Sequence, residues 1–183
     1  MNSVDYKEME NYKRPDGSQR LWNVTAWNNL TPRFIDNPYW AAYMSYSEEQ
    51  RDRTYGSIGV TYPFADWLNA SVKVSGDVYT FSIEDRIAMY SRSTSDYTEE
   101  IHRFREMNYE AMVSANKIFG DFSLNGFVGG NIMVKDTKYS LSRALGGLVV
   151  PELYNFSNAK DGVSTTSNRY KKQVNSLFAS ASA

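Results

Sequence analysis

The stretch Leu68-Asn69-Ala70-Ser71-Val72-Lys73-Val74-Ser75-Gly76-Asp77-Val78-Tyr79 decides the fold. Leu68, Ala70, Val72, Val74, Gly76 and Val78 point one way, while Asn69, Ser71, Lys73, Ser75, Asp77 and Tyr79 point the other. A period of two is the signature of a β-strand with one apolar and one polar face. Upstream, Ile58, Val60 and Tyr62 alternate with small or polar residues, and Pro63-Phe64-Ala65-Asp66 supplies a tight turn. The two runs form a β-hairpin over about 51–82.

The same pattern returns further on. Tyr109, Ala111, Val113 and Ala115 alternate with polar residues in a strand predicted from about Arg105 to Phe119, although Asp96 to Arg103 also carries the signals of a short capped helix. After the turn at Gly120-Asp121, Phe122, Leu124, Gly126, Val128, Gly130, Ile132 and Val134 continue, which sets a second hairpin over about 105–135. A last strand starts at about Arg169. Residues 1–50 form a loop-rich segment, broken at Thr31-Pro32 and Asn37-Pro38, with one short strand around Leu21 to Trp27.

The connections come in two lengths. Pro63 to Asp66 and Gly120-Asp121 are short, whereas Ser82 to Glu100 and Asp136 to Asn168 are long and polar. Strict alternation of short and long links in an up-and-down antiparallel meander puts all short turns at one end. That asymmetry is the mark of a transmembrane outer-membrane β-barrel. Leu68, Val72, Val74, Val78, Leu124, Val128 and Ile132 then face lipid, and Asn69, Lys73, Asp77, Asn125 and Asn131 face the lumen. Tyr62, Phe64, Trp67, Phe119 and Phe122 flank the short turns as one aromatic girdle, and Tyr79 and Phe81 mark the outer one.

Composition agrees with a two-faced sheet and narrows the chemistry. The chain has 183 residues, 15% of them aromatic, with a net charge of −1, no cysteine and one histidine. Near-neutrality argues against nucleic acid as a partner. The cysteine and histidine counts exclude a thiolate or multi-histidine metal site and a cysteine nucleophile. No convergent acid–base set, calcium loop or phosphate-cradling glycine motif appears, so neither an enzyme nor a cofactor is expected. The opening Met1 to Glu8 lacks the apolar core of a secretory signal. A soluble, aromatic-rich β-sandwich that binds carbohydrate shares much of this profile. It differs in requiring a second sheet over the even-numbered residues of Leu68 to Val78.

An ordered series of segments resembles SusC/RagA-type TonB-linked outer-membrane proteins. It comprises Asn37-Pro38-Tyr39-Trp40, Arg51-Asp52-Arg53, Tyr55-Gly56, Val60 to Leu68 running on to Asp77, Gly126 to Asn131, Gly147 to Asn158, and Val174 to Ala179. The resemblance covers about Asn37 to the end. It implies an about 22-stranded plugged barrel, of which about five strands fall within 51–183. It implies import of oligosaccharides or peptides with energy relayed by TonB and with a SusD-like surface lipoprotein as lid. The chain is therefore expected to be an internal barrel fragment, integral to the outer membrane, without the signal, plug or TonB-contacting segment of the parent. Trp22, Trp27, Tyr39 and Trp40 are candidate platforms for sugar rings, and packing of Tyr39 and Trp40 against a rim is the alternative. Arg51 and Arg53 are expected to pair with carboxylates on the polar face, and His102 to lie in a solvated loop.

Overall fold

Period-two alternation organises most of the chain. The computed structural model describes residues 6–183. Along the chain lie α1 (Tyr6–Met9), β1 (Val24–Ala26), β2 (Asn29–Pro32), α2 (Pro38–Met44), β3 (Ser47–Ala65), β4 (Leu68–Ile87), β5 (Asp96–Phe119), β6 (Phe122–Ala144) and β7 (Val163–Ser182). With 66% strand and 7% helix the fold is all-β, as the alternation predicts. β3 to β7 form one antiparallel sheet in sequence order, and β1 pairs with β2. The five-stranded sheet is open, with β3 and β7 as its edges.

The turn at Gly120-Asp121 is where the sequence places it, whereas the first short turn is Asp66-Trp67, not Pro63 to Asp66, because β3 runs through Pro63 and Phe64 to Ala65. Gly120 takes φ +58°, a backbone conformation at which a side chain is costly. The long links are shorter than expected, because β4 runs on to Ile87, β5 starts at Asp96, and β6 continues to Ala144. Charged and hydroxyl side chains occupy both faces there, so no apolar alternation marks these strands. Hydrogen bonds and ion pairs hold them instead. Arg86 reaches Glu84 at 2.7 Å and Glu48 at 2.9 Å, Arg143 reaches Asp96 at 2.6 Å, and Ser142 lies 3.1 Å from Thr165.

Two compact units are distinguished: Met1–Gln50, Ser82–Ile101 and Ser140–Ser167 form one, and Arg51–Phe81, His102–Tyr139 and Asn168–Ala183 the other. The first has a small apolar core of Tyr97, Ala144 and Leu148, with Met89, Tyr154, Phe156 and Ala159 packed on it. Elsewhere in this unit buried amides do the work of a core. Gln19 Nε2 donates to Asp36 Oδ1 and to the Tyr90 carbonyl, while its Oε1 accepts from Asn37 N–H. Asn23 ties Ile35, Arg33 and Phe34, and Asn158 ties Val150 and Leu153. A chain poor in aliphatic runs satisfies its buried loop backbone in this way.

Helix α2 lies where the sequence predicts a break. Asn37 caps it, its Oδ1 accepting from Tyr39 N–H at 2.9 Å, and Pro38 opens the first turn. The Asn-Pro pair is thus a helix start.

Candidate functional site

The second unit is a sheet with chemically distinct faces, and cross-strand contacts fix which residue lies where. Val72, Val74 and Val78 of β4 share a face with Ile58, Val60, Tyr62 and Phe64 of β3 by strand alternation. Tyr109, Ala111 and Val113 of β5 and Leu124, Val128 and Ile132 of β6 join them. On this face no charge occurs from Thr54 to Phe64, Leu68 to Val78, Met107 to Ala115 or Phe122 to Val134. The side chains are not covered: Val72 and Val128 are each 57% exposed. Leu68 to Val78 spans ~33 Å of strand, which at a tilt of about 40° gives ~25 Å of height, the height of a lipid-facing band.

Aromatic rings crowd the short-turn end of the same face. Tyr62 and Phe64 meet edge to face at 5.0 Å, and the Lys117 ammonium lies over Trp67 (4.7 Å) and Phe119 (5.1 Å). Phe122 is exposed beside them in sequence. The last strand departs from the pattern. Gly126 lies against Ala181 and Gly130 against Leu177, and continuing that register brings Gln173 and Asn175, 3.0 Å apart, opposite Val134 and Ile132.

The opposite face carries the polar residues singled out in the sequence. Asp77 accepts two hydrogen bonds from the Arg53 guanidinium, at 2.9 and 2.8 Å, and Asn131 donates to Asn108 at 3.2 Å. Lys73 joins Arg53, Asp77, Glu106 and Asn108 along one open groove, and Asn69 and Asn125 line another with Ser114, Asn116, Phe127 and Ser180. Tyr79 and Phe81 also belong to this face, away from the girdle rings. Alternation already puts Tyr79 with Asp77.

Here the rings and cations form a ladder that sequence reasoning missed. The Arg51 guanidinium lies 4.7 Å over Tyr79, Tyr79 stacks on Phe104 at 4.8 Å, and Lys135 lies 4.8 Å over Phe104. A cation–ring–ring–cation stack thus crosses β3, β4, β5 and β6. A second row runs from Phe81 to His102 (6.0 Å) and on to Tyr139 (5.0 Å). Arg53 pairs with a carboxylate as expected, but Arg51 stacks on rings, and His102 sits within a strand. The signal available was spacing: Tyr79, Phe81, His102, Phe104 and Tyr139 share one face once β4, β5 and β6 are extended.

The four candidate platform residues separate in the other unit. Trp40 is only 1% exposed, and its indole N–H donates to Ser91 Oγ at 2.9 Å, so it packs the unit from within. Tyr39 stacks on Tyr43, which stacks on Tyr12 at 5.7 Å. Trp27, at 90%, and Trp22 are exposed. Around Arg86 the rings of Tyr46 (5.0 Å) and Tyr154 (5.7 Å) add to its two carboxylate contacts, and the hydrogen bond to Glu84 above all, with Tyr46 beside it, raises the guanidinium pKa further above its ordinary value against the effect of burial.

Among the described residues no helix is long and apolar enough to cross a membrane, a statement that does not bear on strands. No protein-family model matches the chain, and no curated protein does.

Proposed function

We propose that this chain is wall of a TonB-dependent outer-membrane transporter, with β3 to β7 crossing the bilayer. The observation that carries this reading is the sorting of side chains on β3 to β6. One face is uncharged over a membrane height and edged with rings, while the other is hydrogen-bonded and polar. A bilayer in contact with the first face and water in contact with the second satisfies both. The amides, the Arg53–Asp77 pair and the aromatic ladder then line the lumen, where hydroxyl and peptide groups find donors, acceptors and ring faces. Oligosaccharides or peptides are the substrates this lining suits. A SusD-like lipoprotein and TonB are partners of the complete transporter, as the segment resemblance implies. A soluble carbohydrate-binding sandwich requires a second sheet over Val72, Val78, Val128 and Ile132, all of which are exposed here.

The test places a charge on each face. Val72→Arg and Val74→Arg near the midplane each cost about 2–4 kcal/mol of insertion, and the expected result is failure of the transporter to assemble in the outer membrane. Ser71→Arg, on the polar face, is expected to assemble. Normal assembly of both valine variants, read by heat-resistant gel mobility and protease protection, refutes the lipid-facing assignment.

A further inference from the structure

The uncharged face ends abruptly at its long-link side. Two residues beyond Met107 comes Arg105, and Arg103 follows; two residues beyond Val134 comes Asp136, and Lys138 follows. Arg169 reaches in from β7 and grips Asp136 with two hydrogen bonds of 2.9 and 2.6 Å, while Arg105 stands 3.6 Å from the same carboxylate. With Val78 and Thr80 these side chains line a single groove of about 320 Å³. Arg169 and Arg105 thus hold the one carboxylate, Lys171 also acts on it electrostatically, and Arg103 and Lys138 share its groove. Among the described residues no carboxylate lies within ion-pair distance of Arg103 or Lys138. The other acidic residue at this level of the face, Asp52, is on β3, two strands from β5. At the short-turn end the same face has Lys117 alone among the strand positions, and its ammonium is occupied by two rings.

We propose that Arg103, Arg105, Lys138 and Arg169 form a ledge that binds the phosphate groups of an outer-leaflet glycolipid. The inference rests on the membrane reading above and adds a lipid partner to it. If the apolar band contacts acyl chains, a side chain one or two steps past it lies at the headgroup level, where long basic side chains reach for anions. Asp136 holds the Arg169 guanidinium beside the groove and leaves Arg103 and Lys138 unpaired. Charge complementarity therefore selects a phosphorylated headgroup, and continuity with the apolar face selects one that carries acyl chains over a free phosphate.

The test is flotation of the 183-residue chain, diluted from denaturant onto phosphatidylcholine vesicles containing diphosphoryl lipid A or its dephosphorylated form. The expected result is association with both vesicles and preference for the phosphorylated ones. Arg103→Gln/Lys138→Gln should reduce that preference by about fivefold for each charge removed, with binding to dephosphorylated vesicles unchanged. This pair spares the Asp136 contacts, so the sheet keeps its ion pairs. Lys160→Gln/Lys172→Gln, which removes equal charge elsewhere, should keep the preference. Equal association with both vesicles, or equal loss in the two double variants, overturns the ledge and leaves the membrane reading standing. No association with either vesicle overturns the membrane reading and the ledge together. Abolition of the preference by inorganic phosphate, at ionic strength matched with chloride, reassigns the groove to a free anion and overturns the lipid assignment.

Discussion

Single positions in the sheet show why the alternating pattern tolerates no side chain at Gly129. A Cβ there would lie 2.5 Å from Phe178 Cε2 and 2.8 Å from the Ala111 carbonyl oxygen. The ring can move, but the β5 carbonyl cannot. Phe178, edge to face with Phe127 at 6.2 Å, covers bare backbone that would otherwise be unshielded. Gly129→Ala is expected to cost about 1–3 kcal/mol, as overpacking does, measured as a lowered urea midpoint of the lipid-folded protein; Gly17→Ala is no substitute control, because its φ of +83° brings strain of a different origin. Tyr97 offers a second test. Its burial, then the neighbouring charges of Glu84 and Glu99 and its hydrogen bond to Glu84, push its phenol up to about 12. A phenol held neutral in the folded chain stabilises it fully below the ordinary tyrosine range near 10, and that contribution disappears as pH rises through 12. Base-induced loss of structure is therefore expected to fall in that window and to be weaker in Tyr97→Phe. The difference between the tyrosinate absorbance titrations of the two proteins measures it, and coincident unfolding curves refute the assignment.

Elements differ in how plainly the sequence announces them. The two hairpins are legible because runs with a period of two flank the break near Asp66 and the turn at Gly120-Asp121, although Pro63 belongs to β3 and not to the turn, and the face assignment of Asn69, Lys73, Asp77, Asn125 and Asn131 follows from parity alone. The outer halves of β4, β5 and β6 are not, since Ile83 to Arg86 and Glu99 to Arg105 put charge on both faces and are held by pairs that only the register reveals. Distance along the chain suggests the girdle for Tyr79 and Phe81, but parity with Asp77 and the ladder on Arg51 and Phe104 put them on the polar face. Helix α2 was hidden by its brevity, and Asn37 explains how so short an element persists. Besides capping, the Asn37 amide donates to the carbonyls of Arg20 (2.7 Å) and Met9 (3.1 Å). Asn37→Ala removes a cap worth about 0.5–2 kcal/mol and orphans two carbonyls, one of them buried with the amide, at about 1–3 kcal/mol each. Asn37→Asp keeps the cap and loses the donors, so its loss is expected to be intermediate. Limited proteolysis around 37–44, ranked wild type, Asp, Ala in rising susceptibility, checks this; equal rates for Ala and wild type contradict it.

At the scale of the molecule the open sheet leaves two kinds of surface uncovered. β3 and β7 each expose a row of unpaired backbone N–H and C=O groups over strands of 19 and 20 residues. Pro63, near the short-turn end of β3, interrupts donation at a single point of that edge. Five strands are fewer than the about eight a small barrel needs to close, and the apolar face, with Ile58, Val60, Val72 and Val128 exposed, adds a second surface that water does not favour. On the proposed reading both liabilities vanish where further strands complete the wall and lipid covers the outside; neither is relieved in plain buffer. The isolated chain is accordingly expected to sediment as large, heterogeneous particles without detergent, and to become smaller when lipid or detergent covers the apolar face. Residual association in detergent should persist, because edge pairing depends on backbone groups that detergent tails cannot hydrogen-bond. Sedimentation velocity with and without detergent separates the two contributions. A single monomeric species in buffer that melts cooperatively would mean that the chain covers its own apolar face, and the wall assignment would fall with it.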